Sequence, residues 1–364
     1  MPCAGSEPNV ASLFPIPQTG FTPVQSLLVS VFLLITSVLL ITSTSCSSDD
    51  SSENRKLTIY SGRSTELVEP IITRFEEQFD VDVEVKYGST SGLAGVLLEE
   101  GVNTPADLFF AQSAGALGAL SNAGRLAPLP DDLLRLVDPR FKPDSNDWIG
   151  TSGRARVVVF NTSSLTETEL PVSYMDYTRD KWRSRVGWAP TNASFQAFIT
   201  ALRVTHGEST ASEWISLMLD NGVKTYKNNA AIVMAVSVGD VDVGFANHYY
   251  LHRFLSEDSG LTARNHYPVA GDPLGLVNAA GIGLMGRDEI NSDAIEFIRF
   301  VLSEESQRYF ADDTFEYPLA LGIRSNPELP ALDDLQPPEI DLNDLTDIQG
   351  TVELLVDTGV FLGW

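Results

Sequence analysis

The chain has 364 residues, enough for about two domains of ordinary size, each with its own hydrophobic core. Its formal net charge of −25 at pH 7 excludes sequence-independent attachment to nucleic-acid phosphates or to anionic lipid, because both need a basic face. The two cysteines, Cys3 and Cys46, precede the first predicted strand, so the rest of the chain has neither a disulfide framework nor a thiolate metal site.

The N-terminal segment predicts export. Residues 27–42 are almost unbroken apolar sequence, shorter than the roughly 20 residues of a membrane-spanning helix and typical of a signal-peptide core. The segment that follows resembles a bacterial lipoprotein cleavage site, so we predict a leader over residues 1–45, a lipid on Cys46 and a flexible tether over residues 46–55. An uncleaved anchor and a start codon placed too far upstream are the alternatives, since Ser43 and the absence of Lys or Arg before the apolar stretch depart from that pattern. In each case the body lies outside the cytoplasm, at a membrane.

Strands and helices alternate after the tether. Apolar spacing predicts strands over residues 57–60, 81–87, 107–111 and 156–161 and helices over residues 66–79 and 91–100. Such alternation predicts an α/β fold whose sheet is mainly parallel and is covered by helices on both faces. A second lobe begins near the strand at 156–161.

The second lobe continues with a Trp-containing turn over residues 182–188. Next come predicted helices over residues 195–206 and 212–220 and a buried strand over 241–246. The block 271–284 predicts another strand, the helix 292–303 returns the chain to the first lobe, and the acidic, Pro-rich stretch 327–347 predicts a surface wrap. We therefore predict lobe 1 over residues 56–153, lobe 2 over 154–277, and a return to lobe 1 with a C-terminal wrap over 278–364.

Two adjacent tyrosines, Tyr249 and Tyr250, follow the predicted strand at 241–246. Phenolate is a hard, anionic oxygen donor, so a pair of phenolates at a strand end suits a small, highly charged ion such as Fe³⁺. The alternative is packing, because tyrosine fits a half-buried strand while its hydroxyl meets water. Tyr226 is a third candidate phenolate with the same alternative.

Three polar turns precede predicted helices. The first contains Gly62 and Arg63, and a Gly-containing turn at a helix N-terminus offers backbone N–H donors to an anion, to which Arg63 can add a bidentate contact. A plain helix start with Ser64 or Thr65 as its cap is the alternative. The others are residues 190–194 and the pair 228–229. Three such turns at one cleft would form an anion cradle.

Other polar residues give weaker signals. His248 and His252 have the spacing that can put two imidazoles on one helical face, but the acidic partner of an HExxH zinc site is missing, so we expect them to contact solvent or to support other residues. Asp272 is expected to help fix the cleft. A hydrolase is the competing class, but the chain has no GxSxG nucleophile elbow and no convincing His and acid partner, so we do not expect an enzyme.

The order of motifs resembles the ferric-ion-binding proteins of bacterial ABC importers, sometimes called bacterial transferrins, from Leu57 to Gly322. The motifs are YSGRS at 60–64, TPADLFF at 104–110, APTNASFQAF at 189–198, NN at 228–229, NHYY at 247–250 and GDPLGLVNAAGIGL at 271–284. The resemblance implies a type II-like, two-lobed periplasmic binding protein with crossing hinge strands that closes over Fe³⁺. It places the tyrosine pair of the family on Tyr249 and Tyr250, and it implies a partner permease and ATPase. We expect the receptor to be a monomer.

Two positions depart from the family pattern. Ser64 stands where well-known members have a histidine ligand, and Gln112 stands where they have a glutamate ligand. An exogenous anion such as carbonate, or water, is then expected to supply the missing oxygens. The expected donors to that anion are Arg63, Ser64, Thr191, Asn192, Asn229 and Asn247. The alternative is the same architecture binding an iron chelate, thiamine, a polyamine or a phosphonate.

Overall fold

The computed structural model describes residues 55–362, apart from the side chain of Asn343. The predicted leader, the predicted lipid site at Cys46 and all but the last residue of the tether lie outside the described residues. Within residues 55–362, no helix has the length and apolar character needed to cross a membrane.

Eleven strands of the described chain form one continuous sheet. They are β1 (Lys56–Ser61), β2 (Asp82–Tyr87), β3 (Leu108–Ala111), β4 (Leu126–Ala127), β5 (Trp148–Asn161), β6 (Val186–Trp188), β7 (Lys224–Thr225), β8 (Val243–Asn247), β9 (Ala263–His266), β10 (Val277–Met285) and β11 (Tyr317–Pro318). The order across the sheet is β2-β1-β3-β10-β5-β8-β6-β7, with β4 beside β10 and with β9 and β11 beside β5.

The helices of residues 55–362 flank this sheet. They are α1 (Thr65–Phe79), α2 (Thr90–Glu100), α3 (Ala114–Asn122), α4 (Asp131–Leu134), α5 (Ala193–His206), α6 (Glu208–Asp220), α7 (Asn229–Ser237), α8 (His248–Glu257), α9 (Ser292–Val301), α10 (Glu304–Asp312) and α11 (Ile348–Asp357). Short 3₁₀ turns, such as Pro273–Gly275 and Leu342–Thr346, lie between them.

Strand β5 joins the two halves of the sheet. It pairs with β10 up to Ala155 and with β8 from Arg156 onward, and all of its residues are buried. We call the half with β1–β4 and β10 lobe 1, and the half with β6–β9 lobe 2. The pairs of β1 with β2 and β3, and of β6 with β7 and β8, are parallel, whereas β5 and β10 run antiparallel to their neighbours. The predicted α/β class is confirmed, with a mixed sheet because of these crossing strands. The residue boundaries of the lobes stay a prediction.

Several element bounds differ from the prediction for local reasons. Strand β5 begins at Trp148 rather than at residue 156, because the small and polar residues 150–153 interrupt the apolar pattern by which a strand is recognised. The predicted turn at 182–188 ends in the short strand β6, whose three residues are too few to show a period. The predicted strand at 241–246 is β8, and α8 begins directly after it at His248.

The C-terminal segment contacts both lobes. Leu345, in the 3₁₀ turn before α11, belongs to the lobe 1 core and lies against Gly115 of α3. One turn further on, the Thr351 hydroxyl of α11 is hydrogen-bonded to that of Thr200 in α5 of lobe 2, with 2.7 Å between the oxygens. The tail is therefore fixed on both sides of β5.

Gly115 is expected to tolerate no side chain. A Cβ atom there would lie 2.1 Å from the backbone oxygen of Leu345, so Gly115→Ala should lower the free energy of unfolding in urea by about 1–3 kcal/mol through overpacking. Gly95→Ala in α2 is the matched control, because its Cβ would meet nothing within 4 Å. The control should be neutral or more stable by about 0.5–1 kcal/mol. Equal stability of the two variants would contradict this packing.

Candidate functional site

The tyrosine pair lies in the first turn of α8, directly after β8. The two rings stack with centroids 4.2 Å apart. Tyr249 has no exposed surface, and its hydroxyl has no hydrogen-bond partner among the described residues, whereas Tyr250 is half-buried. Burial, followed by the neighbouring Tyr250 and Glu316, holds the pKa of Tyr249 well above its ordinary value. Tyr249 is therefore a neutral, unpartnered phenol at neutral pH.

A buried ion pair lies beside the tyrosines. Arg63, from the turn after β1, donates from Nη1 and Nη2 to the two carboxylate oxygens of Glu316 at 2.9 and 2.6 Å. Both side chains have no exposed surface. Burial by itself would raise the pKa of Glu316, but the charge and hydrogen bonds of Arg63 hold it below its ordinary value. Arg63 and Glu316 are thus both charged in the interior.

A second arginine shares this carboxylate without a good hydrogen bond. The Nε atom of Arg154, on β5, is 3.9 Å from the nearer Glu316 oxygen, and none of its three nitrogens has a partner among the described residues. Burial, and then the charge of Arg63, lower the pKa of Arg154. Arg154 is also close enough to Tyr249 and Tyr250 to interact with them electrostatically.

A third buried arginine begins the polar network of lobe 2. Arg156, also on β5, donates from Nη1 to the Ser194 hydroxyl at 3.1 Å, and Asn229 donates to the same oxygen at 3.1 Å. Burial lowers the pKa of Arg156 to about 9, and its Nε and Nη2 atoms have no partner in the part of the chain that the structure describes. Asn247, paired with Arg156 across β5 and β8, is also buried with its side-chain amide unpartnered.

A cavity of about 380 Å³ separates the turns of the two lobes. Lobe 1 contributes residues 62–66, 87–91 and Gln112, and lobe 2 contributes residues 191–193 and Gln196. The predicted residues Arg63, Ser64, Thr191 and Asn192 therefore meet at one cavity, as does Gln112. Asn229, Asn247 and the tyrosine rings lie outside its lining. Arg63 connects the cavity with the tyrosine pair, because it lines the cavity and interacts electrostatically with both tyrosines.

Helix starts shape the cavity. Asn192 caps α5, with its side-chain oxygen accepting from the backbone N–H and the hydroxyl of Ser194 at 3.0 and 2.6 Å. Ser64 precedes α1, but its side chain makes no capping hydrogen bond. The structure therefore does not support the alternative in which Ser64 caps the helix. Instead, the Ser64 hydroxyl is hydrogen-bonded to the Glu66 side chain. The pKa of Glu66 is lowered first by a hydrogen bond from the backbone N–H of Glu66 and then by this bond with Ser64.

Tyr226 has a different environment. Its hydroxyl donates to the Asp240 carboxylate, and its ring packs so closely that a Cβ at Gly187 would lie 2.8 Å from it. Burial, and then Asp240, raise the pKa of Tyr226. These contacts give Tyr226 a packing role away from the cavity, in agreement with the alternative weighed from the sequence.

The histidines lie behind the tyrosines. His248 is buried, accepts at Nδ1 from the Ala155 backbone N–H at 3.2 Å and has Nε2 2.7 Å from the Phe315 carbonyl oxygen. Of the two roles expected for His248, the structure shows support of neighbouring residues rather than contact with solvent. Burial lowers its pKa to about 4, so it is neutral at pH 7 and fixes α8 to β5 and to the segment before β11. His252 stacks on Phe315, and Nδ1 is 3.8 Å from the Glu328 carboxylate.

Acidic metal-binding clusters are not found. Among residues 55–362, no group of three or more His, Cys, Asp and Glu side chains is arranged to hold a metal ion. Asp272 accepts from the backbone N–H groups of Leu274 and Tyr174 at 2.8 Å each, so it fixes the turn before β10.

Sequence reasoning missed three residues of the site, namely Arg154, Arg156 and Glu316, and it included Ser194 in the polar turn 190–194 without giving it a role. Arg154 and Arg156 did carry a signal, because two charges two residues apart in an apolar strand must share one buried face. Glu316 carried no such signal in the sequence, because its partner Arg63 is distant along the chain and only the fold brings the two together.

The sequence and the fold are similar to those of known proteins. A family model described as bacterial extracellular solute-binding protein matches residues 103–341. The Fe(3+)-binding periplasmic protein of Serratia marcescens is 30% identical over 312 residues, which cover 85% of this chain and 92% of that protein. The crystal structure of iron-bound HitA from Pseudomonas aeruginosa is 31% identical with a TM-score of 0.80, covering 84% of this chain and 99% of the other. A Trichodesmium protein (IdiA, FutA) in complex with iron and citrate ligands is 25% identical with a TM-score of 0.70, again covering 84% and 99%.

Glu316 is expected to be essential for stability. Glu316→Gln removes the buried carboxylate that contacts Arg63 and Arg154, so the free energy of unfolding in urea should fall by about 3–5 kcal/mol. Glu305→Gln is the control, because Glu305 makes an exposed pair with Arg74 at 3.9 Å and its loss should change stability by less than about 1 kcal/mol. A Glu316→Gln protein as stable as the control would show that the arginines do not depend on this carboxylate.

Proposed function

Because this chain belongs to the family of bacterial extracellular solute-binding proteins, we propose that it captures Fe³⁺ outside the cytoplasm and delivers the ion to an ABC importer. The family consists of transport proteins rather than enzymes, and its partners are the permease and ATPase of ABC importers. Its relatives include periplasmic proteins named for ferric iron. To these family properties, our proposal adds that this chain itself captures Fe³⁺, through Tyr249 and Tyr250.

The observation that carries the proposal is the unpartnered hydroxyl of Tyr249. A buried hydroxyl without a hydrogen bond costs about 1–3 kcal/mol, and a ligand bound to the Tyr249 oxygen would offset that cost. The second phenol of Tyr250 is stacked against it, so two oxygen donors of one kind can reach one ion. Phenolate oxygen suits a hard trivalent cation, and Fe³⁺ is also the ion named for the relatives.

The arginines favour the charged form of the tyrosines. Arg154 and Arg63 act against the burial that keeps the Tyr249 phenol neutral, although they do not outweigh it. A bound trivalent cation adds a much stronger attraction for phenolate, so metal binding and deprotonation should occur together. The resulting iron–phenolate bond absorbs visible light.

An anion completes the coordination in this proposal. Ser64 and Gln112 line the cavity as neutral side chains, and Glu66 is the only carboxylate among the described lining residues. Carbonate in the cavity would face the N-terminus of α5, whose backbone N–H groups and dipole attract anions. Its proposed donors are Arg63, Ser64, Thr191 and Asn192, and we keep Asn229 and Asn247 in the proposed set although both are buried outside the cavity lining.

Iron that is already chelated is the second candidate. It is favoured by the unpartnered nitrogens of Arg154 and by the Trichodesmium neighbour, which is described with iron and citrate. A polyamine or thiamine fits this site poorly, because three buried arginines repel an organic cation.

We retain the proposals of a lipid on Cys46, a monomeric receptor and the lobe boundaries at residues 153 and 277.

The tyrosine pair should carry the colour of the iron-loaded protein. In the double variant Tyr249→Phe and Tyr250→Phe, the visible charge-transfer band should disappear and iron affinity should fall by more than about 100-fold, since loss of even an outer-shell partner costs 10–100-fold. Tyr226→Phe is the matched control and should keep both, because its hydroxyl is bound to Asp240. Competition with a chelator and an absorbance spectrum measure the two effects. Full colour in the double variant would refute the site.

Iron binding should release protons. The pKa of Tyr249 lies above its ordinary value in the empty protein, so the phenol is protonated at neutral pH and must lose its proton to become a ligand. We expect about two protons per iron and an apparent affinity that falls by about 100-fold for each unit of decreasing pH. Calorimetry in buffers of different ionisation enthalpy counts the protons, with the double Phe variant as blank. An affinity independent of pH would contradict phenolate ligation.

A further inference from the structure

We propose that Glu66 of lobe 1 and Arg253 of lobe 2 form an ion pair across the cleft when the lobes close, and that this pair slows the release of the captured iron. The inference rests on the proposed function, since it concerns how the same receptor retains its ion. Both are positioning residues, because they act on the lobes that enclose the iron and not on the iron itself.

Glu66 and Arg253 belong to opposite lobes. Glu66 is in the first turn of α1, is exposed, and lines the cavity between the lobes. Arg253 is half-buried on α8, where it follows Tyr250 by three residues, so these two side chains are neighbours on the helix surface. Arg253 acts on the Glu66 carboxylate through its charge rather than through a hydrogen bond. An attraction between the lobes therefore already exists, and a closer approach would turn it into an ion pair.

Tyr309 gives independent evidence that Arg253 lies beside α1. This tyrosine belongs to the lobe 1 core, and its hydroxyl donates to the backbone oxygen of Glu66 at 3.4 Å. Burial, and then nearby carboxylates, raise the pKa of Tyr309, whereas the charges of Arg63 and Arg253 act against that increase. Two neighbouring groups of lobe 1 thus interact with one arginine of lobe 2. The Arg253 charge therefore lies near the point where α1 begins.

Closure of the cleft leaves Glu66 in need of a partner. It is the only carboxylate among the described residues that line the cavity. Hydrogen bonds from its own backbone N–H, and then from the Ser64 hydroxyl, lower the pKa of Glu66, so it stays charged at neutral pH. A carboxylate that loses its water is costly unless a cation pairs with it, and an unpaired one would also repel an anion in the cavity.

Arg253 is the cation that can meet this requirement. Arg63, the arginine that lines the cavity, is already bonded to both carboxylate oxygens of Glu316. When water leaves a closing cleft, the effective dielectric constant falls and the attraction between opposite charges becomes stronger. The pair of Glu66 with Arg253 therefore stabilises the closed form more than the open form, and its loss should speed opening.

The rate of iron release tests the pair. Protein loaded with radiolabelled Fe³⁺ in bicarbonate is mixed with excess chelator, and the iron that stays on the protein is followed with time. We expect Arg253→Gln to release iron about fivefold faster than wild type, the upper value for an exposed ion pair, and Arg253→Lys to stay within about twofold. Arg264→Gln is the control for loss of one positive charge from lobe 2, because Arg264 donates to the backbone oxygens of Leu261 and Ala263 in its own lobe. Release by Arg253→Gln at the wild-type rate would overturn the proposal.

The double variant tests whether the two residues act as a pair. Glu66→Gln should release iron faster than wild type, and adding Arg253→Gln should bring no further acceleration, because the charge that Arg253 compensates is then gone. Independent roles would instead multiply the two effects, and that outcome would contradict the pair. Glu69→Gln is the control on α1, because Glu69 is also exposed but does not line the cavity. If Arg253→Gln does not fold, Glu66→Lys at the exposed partner decides the question, since it must release iron at least about fivefold faster.

The visible band separates this proposal from the tyrosine site. Neither Glu66 nor Arg253 binds the iron in this proposal, so the variants at both positions should keep the band at full intensity, and its loss in Arg253→Gln would refute the positioning role. Iron-loaded wild-type protein without the band would refute the tyrosine site, while the radiolabel still measures release and decides the pair. Wild-type protein that captures no iron would overturn both proposals.

Discussion

The carboxylate of Glu316 is the interaction on which the interior of the site depends. It accepts two hydrogen bonds from Arg63 and one from Ser152, and it lies 3.9 Å from Nε of Arg154. Without it, Arg63 and Arg154 would lie together out of water beside two phenols. With it, the interior keeps a limited excess of positive charge, which is what an anionic ligand needs and what a neutral or cationic solute would not use.

The rest of the site follows from that arrangement. Arg63 reaches Glu316 from the turn after β1, and Arg154 reaches it from the strand shared by both lobes, so the charged interior lies where the lobes join. His248 fixes the start of α8 through hydrogen bonds to β5 and to the residue before Glu316, and α8 begins with the tyrosines. The phenols are thus positioned by the same elements that hold the arginines.

The fold and the position of the tyrosines could be predicted from the sequence, whereas the charged interior could not. Apolar periods of two and 3.6 residues identify β1, β2, α1 and α5, because one face of each is buried locally. Of the three polar turns that the sequence indicated, two line one cavity, with Arg63, Ser64, Thr191 and Asn192, and the turn at 228–229 does not. The partnership of Arg63 with Glu316 depends on long-range packing, which no local pattern records.

The C-terminal tail has a consequence for how the lobes move. Because Leu345 is packed on α3 and Thr351 is bonded to α5, relative rotation of the lobes must bend or strain a connection outside the crossing strands. Mechanical resistance to opening then depends partly on residues far from the cavity. Substitutions in the C-terminal tail can therefore change the rate of solute release while every residue that touches the solute stays the same.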